Sequence, residues 1–230
     1  MTVIVRADAK TIDDVLERMA AIDAATPKGD GVATFNRMYQ QVTLLVKDAV
    51  GDHEFQAGEF LDRLDVNFGN LFFQAYEADQ SGQEVPPAWK PLFDARQKPD
   101  TLPIQFALAG MNAHISHDLA FAVKGTCQEL GSTPQAETPQ YADFTKTNDI
   151  LEEATPTIKG WFNTGIVAEV DELGGKVDDG FEAFGIRASR AAAWQTSEML
   201  CSLDDNPRTQ KIFIKGLEHT VSLTSRGILL

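Results

Sequence analysis

Residues 104–123, IQFALAGMNAHISHDLAFAV, decide how this chain is read. The run approaches the length that crosses a bilayer, yet it carries Gln105, Asn112, His114, His117 and Asp118, each expensive in hydrocarbon. A helix buried inside a protein accounts for it better. On a helix turning about 100° per residue, His114 and Asp118 fall roughly 40° apart and His117 about 60° to the other side, so all three point into one space. Ile104, Leu108, Met111, Ile115 and Leu119 form an adjoining apolar stripe, while Gln105, Asn112 and Ser116 take a nearly opposite line. Burying such polar groups costs free energy unless each finds a partner, so either a structural network or a reactive site is expected here.

Outward from this run, apolar residues recur at three- and four-residue intervals, and strand signals are nearly absent beyond TVIVR at the start. The fold class is therefore all-α. Helices are expected over about 11–25, 31–50, 58–79, 103–130, 139–154, 157–173, 180–203 and 208–226. TPKGDG, SGQEVPP, RQKPDTLP, GSTPQAETP and DDNPR separate them. Asp30 is placed to cap the second helix, and Pro156 to open the sixth, because proline is tolerated in a first turn. PPAWKPLFD reads as a connector with a short helical turn whose aromatic residues lid the core. No break in composition divides the chain. The expectation is one domain spanning 1–230, a bundle of about seven or eight helices around a central buried helix near 103–130.

The 230 residues, 43% of them hydrophobic, suffice for an ordinary core. A formal charge of −14, from 34 acidic against 20 basic side chains, argues against nucleic acid and against an anionic membrane as partners. The N-terminus lacks the apolar run and cleavage site of a signal peptide, so a cytoplasmic location is expected. Cys127 and Cys201 form no CxxC pair and read as reduced core residues. Phosphate-loop, dinucleotide and GxSxG signatures are missing, which leaves an ATP, NAD or serine-nucleophile enzyme without support. The oligomeric state has no signature in the sequence.

Two further stretches repeat the anomaly of polar residues in apolar places. Asp65 shares a wide apolar face with Leu61, Phe68, Phe72 and Tyr76 and should be buried, with its pKa displaced. In FGIRASRAAAWQTSEMLC, Arg187 lies between Phe184 and Trp194 on a face that also carries Arg190, and a buried guanidinium needs a carboxylate such as Asp65 or Asp118 opposite it. Tyr39 centres another apolar face, with Val32, Phe35, Val42 and Val46, and its hydroxyl should reach the same interior.

The run Gln105 to Leu119 resembles the QFALAGMNAHxxHDL signature of a family of uncharacterised bacterial proteins, a domain of unknown function. The likeness extends through GDGVATFNRMY, RLDVNFGNLFF, PLFDAR, YADF and IRASRAAAW. It implies a shared helical fold and carries no activity with it. A fainter likeness, to the zinc-dependent phospholipase C and P1-nuclease group, fails on the ligands: the chain lacks their N-terminal Trp and has only four His.

Three functions are compatible with these residues. The first is an enzyme for a small apolar molecule, with His114 or His117 as general acid or base, and Asp118 or Asp65 orienting the ring. In that reading Arg187 stabilises a developing oxyanion, while Tyr39, Phe68, Phe72, Asn112 and Trp194 shape the substrate site, and no cofactor is expected. Isomerisation, elimination or cyclisation would suit it. The second is a metal-dependent hydrolase in which His114 with His117 or Asp118, plus Asp65 from a neighbouring helix, holds a divalent ion, since the i, i+3 and i, i+4 spacings allow ligands from one helix. The third is a binding or scaffold protein whose polar network only keeps helices in register, which predicts no cavity beside His114.

Overall fold

A computed structural model describes residues 8–51, 55–163 and 184–230, and those residues are helical apart from short connections. They form α1 (Ile12–Ala25), α2 (Gly31–Gly51), α3 (Gly58–Ser81), α4 (Lys90–Ala95), α5 (Pro103–Ala113), a π-helical turn (His114–Asp118), α6 (Leu119–Glu129), α7 (Pro139–Asn163), α8 (Ile186–Ser202) and α9 (Pro207–Ile228). The all-α expectation holds. The TVIVR strand signal and the segments 164–173 and 180–183 lie outside the described residues. No described helix is long and apolar enough to cross a membrane.

Local chemistry sets the helix ends. Thr11 and Asp14 exchange side-chain and backbone hydrogen bonds in a capping box that starts α1. Asp30 caps α2 as expected: its Oδ1 accepts from the Val32 and Ala33 amides at 2.8 and 3.3 Å. Its Oδ2 accepts from Arg96 Nε at 2.6 Å, and the other arm of Arg96 donates to Asp79, so one guanidinium ties the start of α2 to the end of α3. Leu102 and Pro103 open α5, with the Gln105 side chain accepting from the Leu102 amide at 2.8 Å.

The expected break at Pro156 is absent. α7 runs through it from Pro139 to Asn163, although an internal proline costs about 3 kcal/mol. Leu151, Ala154, Ile158 and Phe162 on either side of it are all buried, and keeping their stripe unbroken outweighs the lost hydrogen bond.

α5, the π turn and α6 together make the single central helix expected near 103–130. α2 packs on α5 through two reciprocal glycine contacts. A Cβ on Gly31 would come within 2.4 Å of the Phe106 ring, and one on Gly110 within 2.3 Å of the Phe35 ring. Each phenylalanine sits one turn from the glycine on its own helix. The pairing order, 31 with 106 and 35 with 110, sets the two helices running in the same direction where they meet. On the opposite side, α9 is attached by side-chain bonds to backbone: Asn112 Nδ2 donates to Val221 O at 2.9 Å, and Gln105 Nε2 to Ile228 O at 2.7 Å. The polar line Gln105 and Asn112 thus serves helix attachment. α3, α6 and α8 enclose a second apolar cluster containing Phe60, Leu119 and Trp194.

Gly110→Ala should destabilise the fold by about 1–3 kcal/mol, because the added methyl collides with the base of a buried ring. Gly125→Ala, in α6 with nothing within 4 Å of the new Cβ, should instead stabilise by about 0.5–1 kcal/mol. Urea denaturation followed by circular dichroism reads both, and equal shifts in the same direction would contradict the close-approach account.

Candidate active site

The centre of the long helix is not α-helical. The Leu119 amide donates to the His114 carbonyl, five residues back, which widens one turn at His114–Asp118. In a regular helix His117 and Asp118 diverge by about 100°. The wider turn draws successive side chains closer in angle, and both histidines reach the same carboxylate. His114 Nδ1 lies 3.1 Å from Asp118 Oδ2, and His117 Nδ1 lies 2.7 Å from Oδ1. Trp89 Nε1, from the turn before α4, donates to Oδ2 at 2.9 Å.

Three N–H donors thus converge on a carboxylate that is almost wholly buried. Burial alone would push the Asp118 carboxyl up, but the bonds from the two histidines hold it below its usual range. An ionised carboxylate only accepts, so both imidazoles carry their proton on Nδ1. Burial lowers the pKa of His114 against the opposing pull of Asp118, leaving a neutral ring with its lone pair on Nε2. Among the described residues neither His114 Nε2 nor His117 Nε2, both buried, has a hydrogen-bond partner.

A cavity of about 110 Å³ lies beside His114, bordered by α1, α2, α3, α7, α8 and the central helix. Its wall is mostly aliphatic and aromatic, with Tyr39, Thr43, Asp65, His114, Thr147 and Arg190 as its polar members. Phe68 stacks on His114 with ring centroids 3.5 Å apart and planes 5° from parallel, and Tyr39 meets the same ring at 4.5 Å. Asp65 precedes Phe68 by three residues, so its carboxyl sits one helical turn from that stack. Burial pushes Asp65 up to about 7, with the Arg190 charge opposing and the Asp62 charge adding. Burial likewise draws Arg190 down to about 10, still protonated at neutrality, against the pull of Asp65. The guanidinium donates to Asn148 Oδ1 at 2.6 Å and Phe144 O at 3.2 Å, and lies over the Phe144 ring at 4.3 Å. Burial, then the charges of Asp65 and Asp118, raise the Tyr39 hydroxyl well above its ordinary pKa.

The residues singled out in the sequence therefore divide. His114, Asp65, Tyr39 and Phe68 meet at the cavity, and Asp118 stands directly behind His114. His117 turns away beside Phe121, whose ring lies 4.8 Å off, and does not line the cavity. Phe72 packs behind, between Phe35 and Trp89. Asn112 is committed to α9 through Val221 O and Ser225 Oγ. Trp194 belongs to the second cluster and donates to Glu198 Oε1 at 3.0 Å.

Arg187 is not the buried cation. It is exposed and paired with Asp149 and Glu152, and Arg190 takes the place opposite Asp65. The signal for Arg190 was present: Ile186, Ala193 and Trp194, at i−4, i+3 and i+4, frame it with apolar neighbours. Trp89 carried no signal, because only the fold brings the connector to Asp118. Among the described residues no three His, Cys, Asp or Glu side chains group so as to hold a metal ion. Cys127 and Cys201 are free thiols, the first buried and the second half-buried.

The chain belongs to a family of unknown function (DUF5995), whose profile matches residues 12–230. No curated protein and no solved structure matches it.

The Asp65 carboxyl keeps its proton up to about pH 7 when folded but only to about pH 4 when the chain unfolds. The folded state holds the extra proton in that window, so stability falls as pH rises from about 4 and levels off above about 7. Asp65→Asn removes this dependence. It should raise stability by roughly 2–4 kcal/mol at pH 8 and by less at pH 5, read as thermal midpoints. A variant less stable than the wild type at pH 8 would mean that Asp65 is a satisfied structural group.

Proposed function

We propose that this protein is an acid–base enzyme for a small, largely apolar molecule, of the isomerase, lyase or cyclase type. The observation that carries the reading is the juxtaposition at one largely apolar cavity of an anchored neutral imidazole and an aspartic acid with its pKa near neutrality. Burial has moved the two groups toward each other from opposite sides, so one can hold a proton while the other lacks it at the same pH.

His114 is the base. Its Nε2 lone pair accepts a proton from the substrate, and the imidazolium that forms is stabilised by the Asp118 carboxylate at Nδ1. Trp89 and His117 hold that carboxylate in place through its remaining lone pairs, so the ring keeps one tautomer and one orientation. Asp65, protonated below about pH 7, returns a proton to an oxygen or carbon elsewhere on the substrate. The proton count is conserved: one is taken by His114 and one is given by Asp65, and exchange with solvent resets the pair. Phe68 fixes the ring face, and the mostly aliphatic wall limits the water that would level the two proton affinities. A network serving only to hold helices in register predicts no cavity beside His114, and one lies there.

An enzyme of this type imprints solvent deuterium on the carbon it deprotonates. Incubated in D₂O with a mixture of small neutral ketones, alcohols and alkenes, the wild type should label at least one compound, detected by mass spectrometry. Asp65→Asn and His114→Phe should lower the rate by about two to four decades while the helical circular dichroism is retained. Activity should fall as pH rises through about 7, where Asp65 loses the proton it donates. Labelling that is absent in the wild type, or unchanged in both variants, would overturn the reading.

A further inference from the structure

Resting on the acid–base reading above, we propose that the cavity takes a neutral one-ring compound that presents a single oxygen to Asp65 and Tyr39, with the adjoining ring carbon toward His114. Size is the first constraint. An apolar cavity of roughly 150 Å³ admits benzene, and this one measures about 110 Å³. A single ring of about six or seven non-hydrogen atoms is therefore the upper limit, and it seats only as the half-buried side chains of the wall give way.

Charge is the second constraint. An anionic ligand would meet the Asp65 carboxyl in a largely apolar wall. The cation beside it, Arg190, already donates to Asn148 and to the Phe144 carbonyl and stacks on the Phe144 ring. A cationic ligand would compete with Arg190 for the same carboxyl. A neutral ligand meets neither penalty.

Donor and acceptor complementarity is the third. Asp65 in its acid form and the Tyr39 hydroxyl both line the cavity, and among the described residues neither donor has a hydrogen-bond partner. Two donors beside one cavity suit a carbonyl or enol oxygen, and a buried carboxylic acid kept neutral is a recognised donor to such an oxygen. His114 lines the cavity, its buried Nε2 has no partner among the described residues, and it is the base for the carbon next to that oxygen. The chemical class is thus a ring ketone passing through its enol: a ring C–H bond breaks toward His114 Nε2, its electron pair forms the ring C=C bond, and the carbonyl oxygen takes the Asp65 proton.

Phenol, a stable planar mimic of such an enol, is the probe. Calorimetric titration of the wild type at pH 6 should show saturable one-to-one binding of phenol, with benzene at least tenfold weaker and benzoate silent. Asp65→Ala, which removes the donor without narrowing the cavity, should cost phenol at least tenfold and leave benzene no weaker. Val42→Phe, which fills the cavity, should abolish both. Binding of benzene as tight as phenol, or binding of phenol unaffected by both variants, would overturn the ligand class, as would no binding of phenol to the folded wild type. Phenol binding as stated without any deuterium labelling by the wild type would sustain the ligand class and overturn the enzymatic reading instead.

Discussion

The close approach of α2 and α5 is the constraint on which the rest of the molecule depends. Two glycines, Gly31 and Gly110, each give up a side chain so that a phenylalanine from the other helix can lie directly on the backbone. The interlock fixes the helices in distance and in register at once, since a slip of one residue would place a Cβ under each ring. Phe35, seated on Gly110, is also the ring from which the site is built. It touches Phe72, Trp89 and Tyr39, and its centroid lies 5.8 Å from that of His114. Tyr39 follows Phe35 by one turn, so the same contact that joins the helices delivers the phenol ring to the imidazole.

Around that frame the buried charges follow two policies. Asp118 is satisfied by three donors and stays ionised in a dry interior, a stable arrangement that would cost several kcal/mol to break by removing the acceptor. Asp65 is left to face a cavity with a cation nearby but not bonded to it, and burial drives it toward its neutral form. The first makes a fixed reference point for His114. The second stores a destabilising group at the place where a substrate would supply what is missing, a common trade between stability and activity.

Much of this was legible in the chain. The central helix, the capping role of Asp30 and the anomaly of Asp65 all follow from spacing and polarity, because those rules act over a few neighbouring residues. Pro156 misled for the same reason: its local preference for a helix start was overruled by a buried stripe from Leu151 to Phe162 that only tertiary packing rewards. Arg187 and Arg190 are three residues apart on one helix, and choosing between them required knowing that α7 presents Asp149 and Glu152 to the outer one and Asn148 to the inner one. The π turn has no marker in composition, since five-residue hydrogen bonding is decided by what the side chains of His114, His117 and Asp118 gain from meeting. Trp89 reaches Asp118 across 29 residues, a distance no local rule spans.

The bonds that hold α9 to the central helix run from side chains near residues 105–112 to carbonyls at 221 and 228, more than a hundred positions later. A ribosome delivers these halves far apart in time. Until residues 207–228 have been synthesised, the amides of Gln105 and Asn112 must be served by water, which keeps one flank of the most apolar helix wet. The nascent chain therefore carries its own delay: the interior can dry and close only after α9 arrives to replace that water.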